Sequence, residues 1–452
     1  MRLFLRPTLR PVLRNSIIAT LIVGAFLSLN AGASDLVQIY KDALSNDAQF
    51  GSARASQLAG QEKVVQGRAG LLPLIALSGS DVRTTAESTP DRGPGGNFTS
   101  TTNAYTLALS QPLFRWANWQ QYEQGKLAVI ISDAQFAQAQ QDLIIRVSQA
   151  YFDVLAAQDV LQTLQVQKVS ISEQLESAKR NFEVGTQTIT DSHEAQARFD
   201  LVTAQEFAGQ GDVEIKLAAL QQIIGKDSGA LATLKKGIKV NAPQPERMAD
   251  WVTSAEKQNF GVQASEMALE IAKRDIAKNR AGHYPTLDLV ASTGRTANGG
   301  YYSNGSTGVI KPTSIGVQWN IPIFSGFAVD SRVRESIALE DKARNDLENT
   351  RRSAAQGARQ AYIGVISGLA QIKAYEAAEI SSRSALDSNK LGYQVGVRIN
   401  IDVLNAQQQL FTTYQNLSKA RYDTIMNGLR LKSAAGILKE QDLDEVNALL
   451  DH

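Results

Sequence analysis

NFEVGTQTITD (residues 181–191) and GYQVGVRINID (residues 392–402) are two copies of one pattern, each built on a Val-Gly step, Val184-Gly185 and Val395-Gly396. Glycine supplies the left-handed turn that ends one helix, and the Thr or Asp that follows caps the next. Each copy sits near the middle of a proline-free run, residues 113–242 and 323–452, and all 11 prolines fall outside those runs. A single interior proline costs a helix about 3 kcal/mol, so runs of this length predict helices much longer than average. Two long helical hairpins in tandem are the expected frame.

The duplication can be followed residue by residue. Ala150-Tyr151 returns as Ala361-Tyr362, Asp191 as Asp402, Ala195-Gln196 as Ala406-Gln407 and Gly225 as Gly436, always 211 positions later. Arg68-Ala69-Gly70 with Pro73 returns as Arg280-Ala281-Gly282 with Pro285 at an offset of 212, and Pro112-Leu113-Phe114 as Pro322-Ile323-Phe324 at 210. The slips put length changes in the segments between, as expected of loops.

Residues 1–33 carry Arg2, Arg6, Arg10 and Arg14, an apolar stretch from Ile17 to Leu29, then Ala31-Gly32-Ala33. That is a secretory signal peptide, with cleavage expected before Ser34. The apolar stretch is shorter than the roughly 18 residues a spanning helix needs. Removing four arginines from 46 basic and 45 acidic residues leaves 42 against 45, a net charge of −3. A near-neutral chain offers no case for nucleic acid. With 0 cysteines, disulfides, thiol nucleophiles and cysteine metal sites are excluded. No later segment is apolar enough for a transmembrane helix, so a membrane role would need a β-barrel.

Strands are confined to two windows. Ile315, Val317, Trp319 and Ile321 alternate with Ser314, Gly316, Gln318 and Asn320. Tyr105, Leu107 and Leu109 repeat the pattern; Leu287, Leu289 and Ala291 do so more weakly, and Leu74 to Arg83 most weakly. One apolar and one polar face suits a strand between lipid and water, and equally a soluble sheet with one face on a core. Thr84–Asn103 and Gly294–Thr313, rich in Gly, Ser, Thr and Asn, are expected to be long hairpin loops. If the strands enter lipid, four are too few, since the smallest membrane barrels have about eight and an open edge cannot sit in a bilayer. The chain would then share its barrel with further copies; three would give about twelve strands above a ring of helical hairpins. Leu161, Leu164, Ile171, Leu175, Ala178 and Phe182 form a narrow apolar seam, with Lys168 in the vacant slot, as in a coiled coil.

Enzyme chemistry finds little footing. His193, His283 and His452 are far apart and in no metal-binding spacing, and neither a phosphate-binding Gly-x-x-x-x-Gly-Lys loop nor a Gly-x-Ser-x-Gly elbow occurs.

The paired Val-Gly tips, the Asp402-Val-Leu-Asn-Ala-Gln407 run, the Arg-Ala-Gly-x-x-Pro approaches to the strands and Glu440-Gln-Asp-Leu443 together resemble the TolC family of outer-membrane channels, over the whole mature chain. The resemblance implies a mainly α fold with β: tandem-duplicated helical hairpins forming an α-barrel, and four strands per chain given to a shared trimeric barrel. It implies a first repeat over 34–242 (strand pair about 72–112, hairpin about 115–225, equatorial linker) and a second over 243–452 (strand pair about 285–322, hairpin about 326–436, equatorial C-terminal tail). It also implies a homotrimer in outer-membrane lipid that reaches into the periplasm. This is a passive duct for drugs or secreted proteins, docked on a periplasmic adaptor and an inner-membrane ABC or proton-driven transporter, with no cofactor, no metal and no nucleic acid. Docking would fall to Val184, Gly185, Thr186, Val395, Gly396 and Val397. The pore gate would draw on Tyr393, Arg398 and Asp402 from the second tip and Thr190 and Asp191 from the first, with Arg398 tethering a neighbouring acid, Asp191 or Glu194. Where the family pattern places a second pore aspartate, this chain has Asn405, and the matching first-repeat position is Glu194. Asp402 and Asn405 share a helix face, so one carboxylate ring is expected instead of two. The plainer alternative for Asp402 is a helix cap, and the resemblance favours the pore ring over it. The alternatives are a periplasmic adaptor, which would carry one hairpin in a lipoyl-like β domain, and a soluble coiled-coil scaffold without a membrane barrel.

Overall fold

The computed structural model describes residues 33–89, 91, 95–186, 188–235, 237–300 and 308–451. The expected signal peptide, Ala33 apart, and His452 lie outside them. Helices α1 (Leu36–Asn46) and α2 (Ala48–Ala69) lead to strands β1 (Leu74–Ser88) and β2 (Gly96–Phe114), then to helices α3 (Trp116–Glu183) and α4 (Ile189–Ile224). The order recurs with α5 (Met248–Gln258), α6 (Phe260–Arg280), a 3-10 turn at Ala281–His283, β3 (Thr286–Gly300), β4 (Gly308–Ile310), β5 (Thr313–Asn320), α7 (Ala328–Gln394) and α8 (Asn400–Ala434). A short α9 (Gln441–Asn447) follows.

The proline-free runs became what their composition predicts. Helix α3 has 68 residues and α7 has 67, about 100 Å each at 1.5 Å per residue. Within the seam of α3, Leu164, Ile171, Leu175 and Ala178 are buried, and Lys168 fills its slot by pairing with Glu206 of α4 at 2.7 Å. Among the described residues no helix is long and apolar enough to cross a membrane.

One antiparallel sheet gathers the strands of both halves, in the order β1, β2, β3, with β4 and β5 end to end along the far edge of β3. The fourth arm is interrupted at Lys311-Pro312, where proline has no N–H to give the ladder. The Pro312 carbonyl still accepts from the Gly294 N–H at 3.0 Å. The arms run further than their alternation predicts. Much of Thr84–Asn103 is strand, with β1 reaching Ser88 and β2 starting at Gly96, and β3 and β4 likewise occupy much of Gly294–Thr313. The physical reason is that ladder hydrogen bonds ignore side-chain polarity and threonine is β-branched; Thr85 and Thr99 even meet across the strands through their hydroxyls, 3.4 Å apart.

The largest core lies where the hairpins meet the chain ends. Tyr151 and Phe152 are fully buried there with Leu36, Leu143, Leu220 and Leu443. The Tyr151 hydroxyl donates to the Ala232 carbonyl at 2.7 Å, and its duplicate Tyr362 donates to the Glu246 carbonyl. Asn447 of α9 holds the start of α1 from both sides, accepting from the Leu36 N–H at 3.1 Å and donating to the Asp35 carboxylate at 3.0 Å. Asp47 caps α2 through the Phe50 N–H and takes both terminal nitrogens of Arg146 at 3.0 Å each. Burial opposes its ionisation, yet the Arg146 and main-chain hydrogen bonds prevail and hold the carboxyl below its ordinary value.

Candidate functional site

Both hairpins end in the same turn. Gly185 and Gly396 have φ of 76° and 77°. The Thr186 N–H reaches the Asn181 carbonyl at 2.9 Å, and the Val397 N–H reaches the Gly392 carbonyl at 2.8 Å, closing each helix end in a Schellman-like pattern. Val184 is 72% exposed, Val395 65% and Val397 75%. With Ile189 and Ile399 also exposed, the tips are apolar where a soluble hairpin would be polar.

Above the turns the residues of the expected gate divide by repeat. Asp191 reaches back to Thr188, accepting from its N–H at 3.3 Å and its hydroxyl at 2.9 Å, and so caps the first turn of α4. Thr190 is exposed beside it and Glu194 half-buried one turn on. Asp402 instead faces Arg398 of its own chain, Nη1 to Oδ2 at 3.6 Å. Tyr393 packs against the Leu386, Val403 and Leu410 cluster. Asn405 is exposed, and its amide oxygen accepts from Arg198 Nη2 at 3.2 Å across the two repeats.

Arg198 was invisible to sequence reasoning, because its partner depends on how α4 and α8 are set against each other. That setting is fixed by Leu404 of α8, buried with Leu164, Ile171 and Val202 and packed against Phe199. Neutral polar pairs flank it: Gln167 donates to Gln408 and Gln407 to Ser170, each at 2.7 Å.

At the opposite end, Arg115 grips Asp288 of β3 with two hydrogen bonds, 2.8 and 2.6 Å, and fixes the corner where strand turns into α3. Around this corner Phe114, Trp116, Trp119, Trp319, Phe324 and Phe327 are exposed, and beyond it Leu77 and Ile315 are 73% and 78% exposed. An apolar band edged by aromatic rings is the surface that a bilayer and its headgroups demand. His283 lies in the turn below, 3.7 Å from Asp330, and no group of acids, histidines and cysteines suited to a metal occurs among the described residues.

Two long hairpins hung from a sheet with an exposed apolar band define a membrane-anchored, mainly helical channel protein. The chain belongs to the outer membrane efflux protein family, whose pattern matches residues 39–226 and 251–437. It is 34% identical to the outer membrane protein TolC of Vibrio cholerae over 93% of this chain and 95% of that protein, and 33% identical to TolC of Escherichia coli over 96% and 88%. It is also 33% identical to the alkaline protease secretion protein AprF of Pseudomonas aeruginosa, over 95% and 90%. The fold matches the CmeC outer membrane channel of Campylobacter jejuni with a TM-score of 0.76 over 98% of both chains, at 18% identity. It matches VceC of Vibrio cholerae at 0.74, over 89% of this chain and 96% of that one, also at 18% identity. The chain is an outer-membrane exit duct extending into the periplasm, which sets aside the single-hairpin adaptor and the soluble scaffold.

Proposed function

We propose that three copies of this chain close one barrel and one helical tube, and that the tube carries solute passively, with no enzymatic step. The carrying observation is the sheet: its described arms leave β1 unpaired on one edge and β4 with β5 unpaired on the other, and open edges are not tolerated in hydrocarbon. On this reading residues 34–242 and 243–452 are two repeats that each give one strand pair and one hairpin.

The apolar tips at Val184, Gly185, Thr186, Val395, Gly396 and Val397 dock on a periplasmic adaptor, and Thr190, Asp191, Glu194, Tyr393, Arg398, Asp402 and Asn405 line or brace the mouth. Relatives named for protease secretion and for efflux support an adaptor and an inner-membrane transporter as partners, whether ABC or proton-driven. Mass measurement of the detergent-extracted protein, followed by single-channel recording of the same sample, tests the assembly. A trimer that conducts is expected; a conducting monomer or dimer would sink it.

A further inference from the structure

The charge at the mouth is not what Asp402 alone would make it. Asp402 already has a cation beside it, Arg398 at 3.6 Å. One turn along the same face, Asn405 brings a second guanidinium, that of Arg198, into place through a neutral amide. No carboxylate lies within ion-pair distance of Arg198 among the described residues: Glu194, one turn earlier on α4, forms no ion pair with it, and Asp191 is engaged with Thr188. Arg198 is therefore a cation that no local acid neutralises, held at the level where a second carboxylate would make the mouth strongly cation-attracting.

We propose that Arg198, positioned by Asn405, is the specificity-determining residue of the mouth, and that it admits small anions which two stacked carboxylate rings would repel. The inference rests on Asp402 facing the lumen, as proposed above. In the symmetric assembly each copy of Asp402, paired with Arg398, is followed by a copy of Arg198 at the level of Asn405, so a cation stands where a second carboxylate ring would. Arg198 stands opposite an amide and not an acid, so its charge remains available to solute. An aspartate at residue 405 would close a salt bridge and cancel it.

The test is the reversal potential of single channels in a planar bilayer under a KCl gradient, with oligomer mass checked for each variant. Arg198→Gln should raise the potassium-to-chloride permeability ratio several-fold. Arg198→Lys should hold it near wild type, and Asn405→Asp should raise it through loss of the free guanidinium. If Asp402→Asn lowers the ratio but Arg198→Gln leaves it unchanged, the role given to Arg198 is wrong while the mouth reading stands. If neither changes it, the mouth has been misplaced and the inference falls with it.

Discussion

At residue 402 a carboxylate sits 3.6 Å from Arg398 with its side chain one-third exposed (33%), so it is free to meet a cation as well as its neighbour. Asp402→Ala should weaken block of the channel by divalent cations in bilayer recordings; unchanged conductance and unchanged block would reduce Asp402 to the local ion-pair partner of Arg398, since its side chain caps no helix end. Wild-type block should be modest, because residue 405 is an amide. Asn405→Asp should strengthen it only partly, since the new acid would be claimed by Arg198, and combining it with Arg198→Gln should release the full effect. A different residue pair records how the duplicated halves have diverged. Asp47 and Asn259 occupy the same cap 212 positions apart, but Asp47 holds Arg146 whereas Asn259 donates to the Ala434 carbonyl at 3.1 Å. Asp47→Asn keeps a competent cap and loses only the ion pair. Because the native carboxyl titrates below its ordinary value, its stabilisation is complete above about pH 4 and fades as pH falls through the lower, native pKa. The variant should therefore unfold about 1–2 kcal/mol more easily at pH 7 and match wild type in strong acid, as guanidinium midpoints at both pH values would reveal.

Among the elements, the hairpin ends distinguish two kinds of glycine. At Gly185 and Gly396 a side chain would meet open space, so a substitution costs only the strain of positive φ, about 1 kcal/mol each. Replacing both by leucine should leave oligomer yield near wild type and abolish export, measured as drug tolerance or secreted protein in a deletion strain; surviving export would move docking elsewhere. Gly436 has φ of 74° and lies against the Gln258 carbonyl, which a methyl group would strike. Gly436→Ala should lower the amount of folded protein sharply, with no specific effect on transport. The helices were legible because one rule, the cost of interior proline, operates along the chain without help from its neighbours. Strand extent was less so: the residues between Thr84 and Asn103 look like loop by composition, and they pair because a neighbouring strand offers them a ladder. Least legible was the pairing of Arg198 with Asn405, 207 residues apart, because it exists only once Leu404 has set α8 on α3 and α4. The tips and Asp402 were recognisable by family resemblance; the counter-charge beside them belongs to tertiary packing.

For the molecule as a whole, the grip of Asn447 on Asp35 and Leu36 joins residues more than 400 positions apart. Ser34 is tied to Leu231 in the same belt, and Leu234 to Leu450. Such contacts carry a high loop-closure cost before they return anything, and they make folding slow. The first helix already packs against α3 and α4, but its hold on α9 closes only after the last helix has been synthesised, so the belt acts as a timer. A chain destined for another membrane is kept from locking while it is still a thread, able to pass through a narrow translocation pore. Asn447→Ala, which leaves both hairpins untouched, should shorten the lifetime of the closed belt more than it changes the final shape. Faster cleavage near the chain ends by a protease added to folded protein would be its signature, and an unchanged cleavage rate would assign the timing to the buried Leu36 and Leu443 alone.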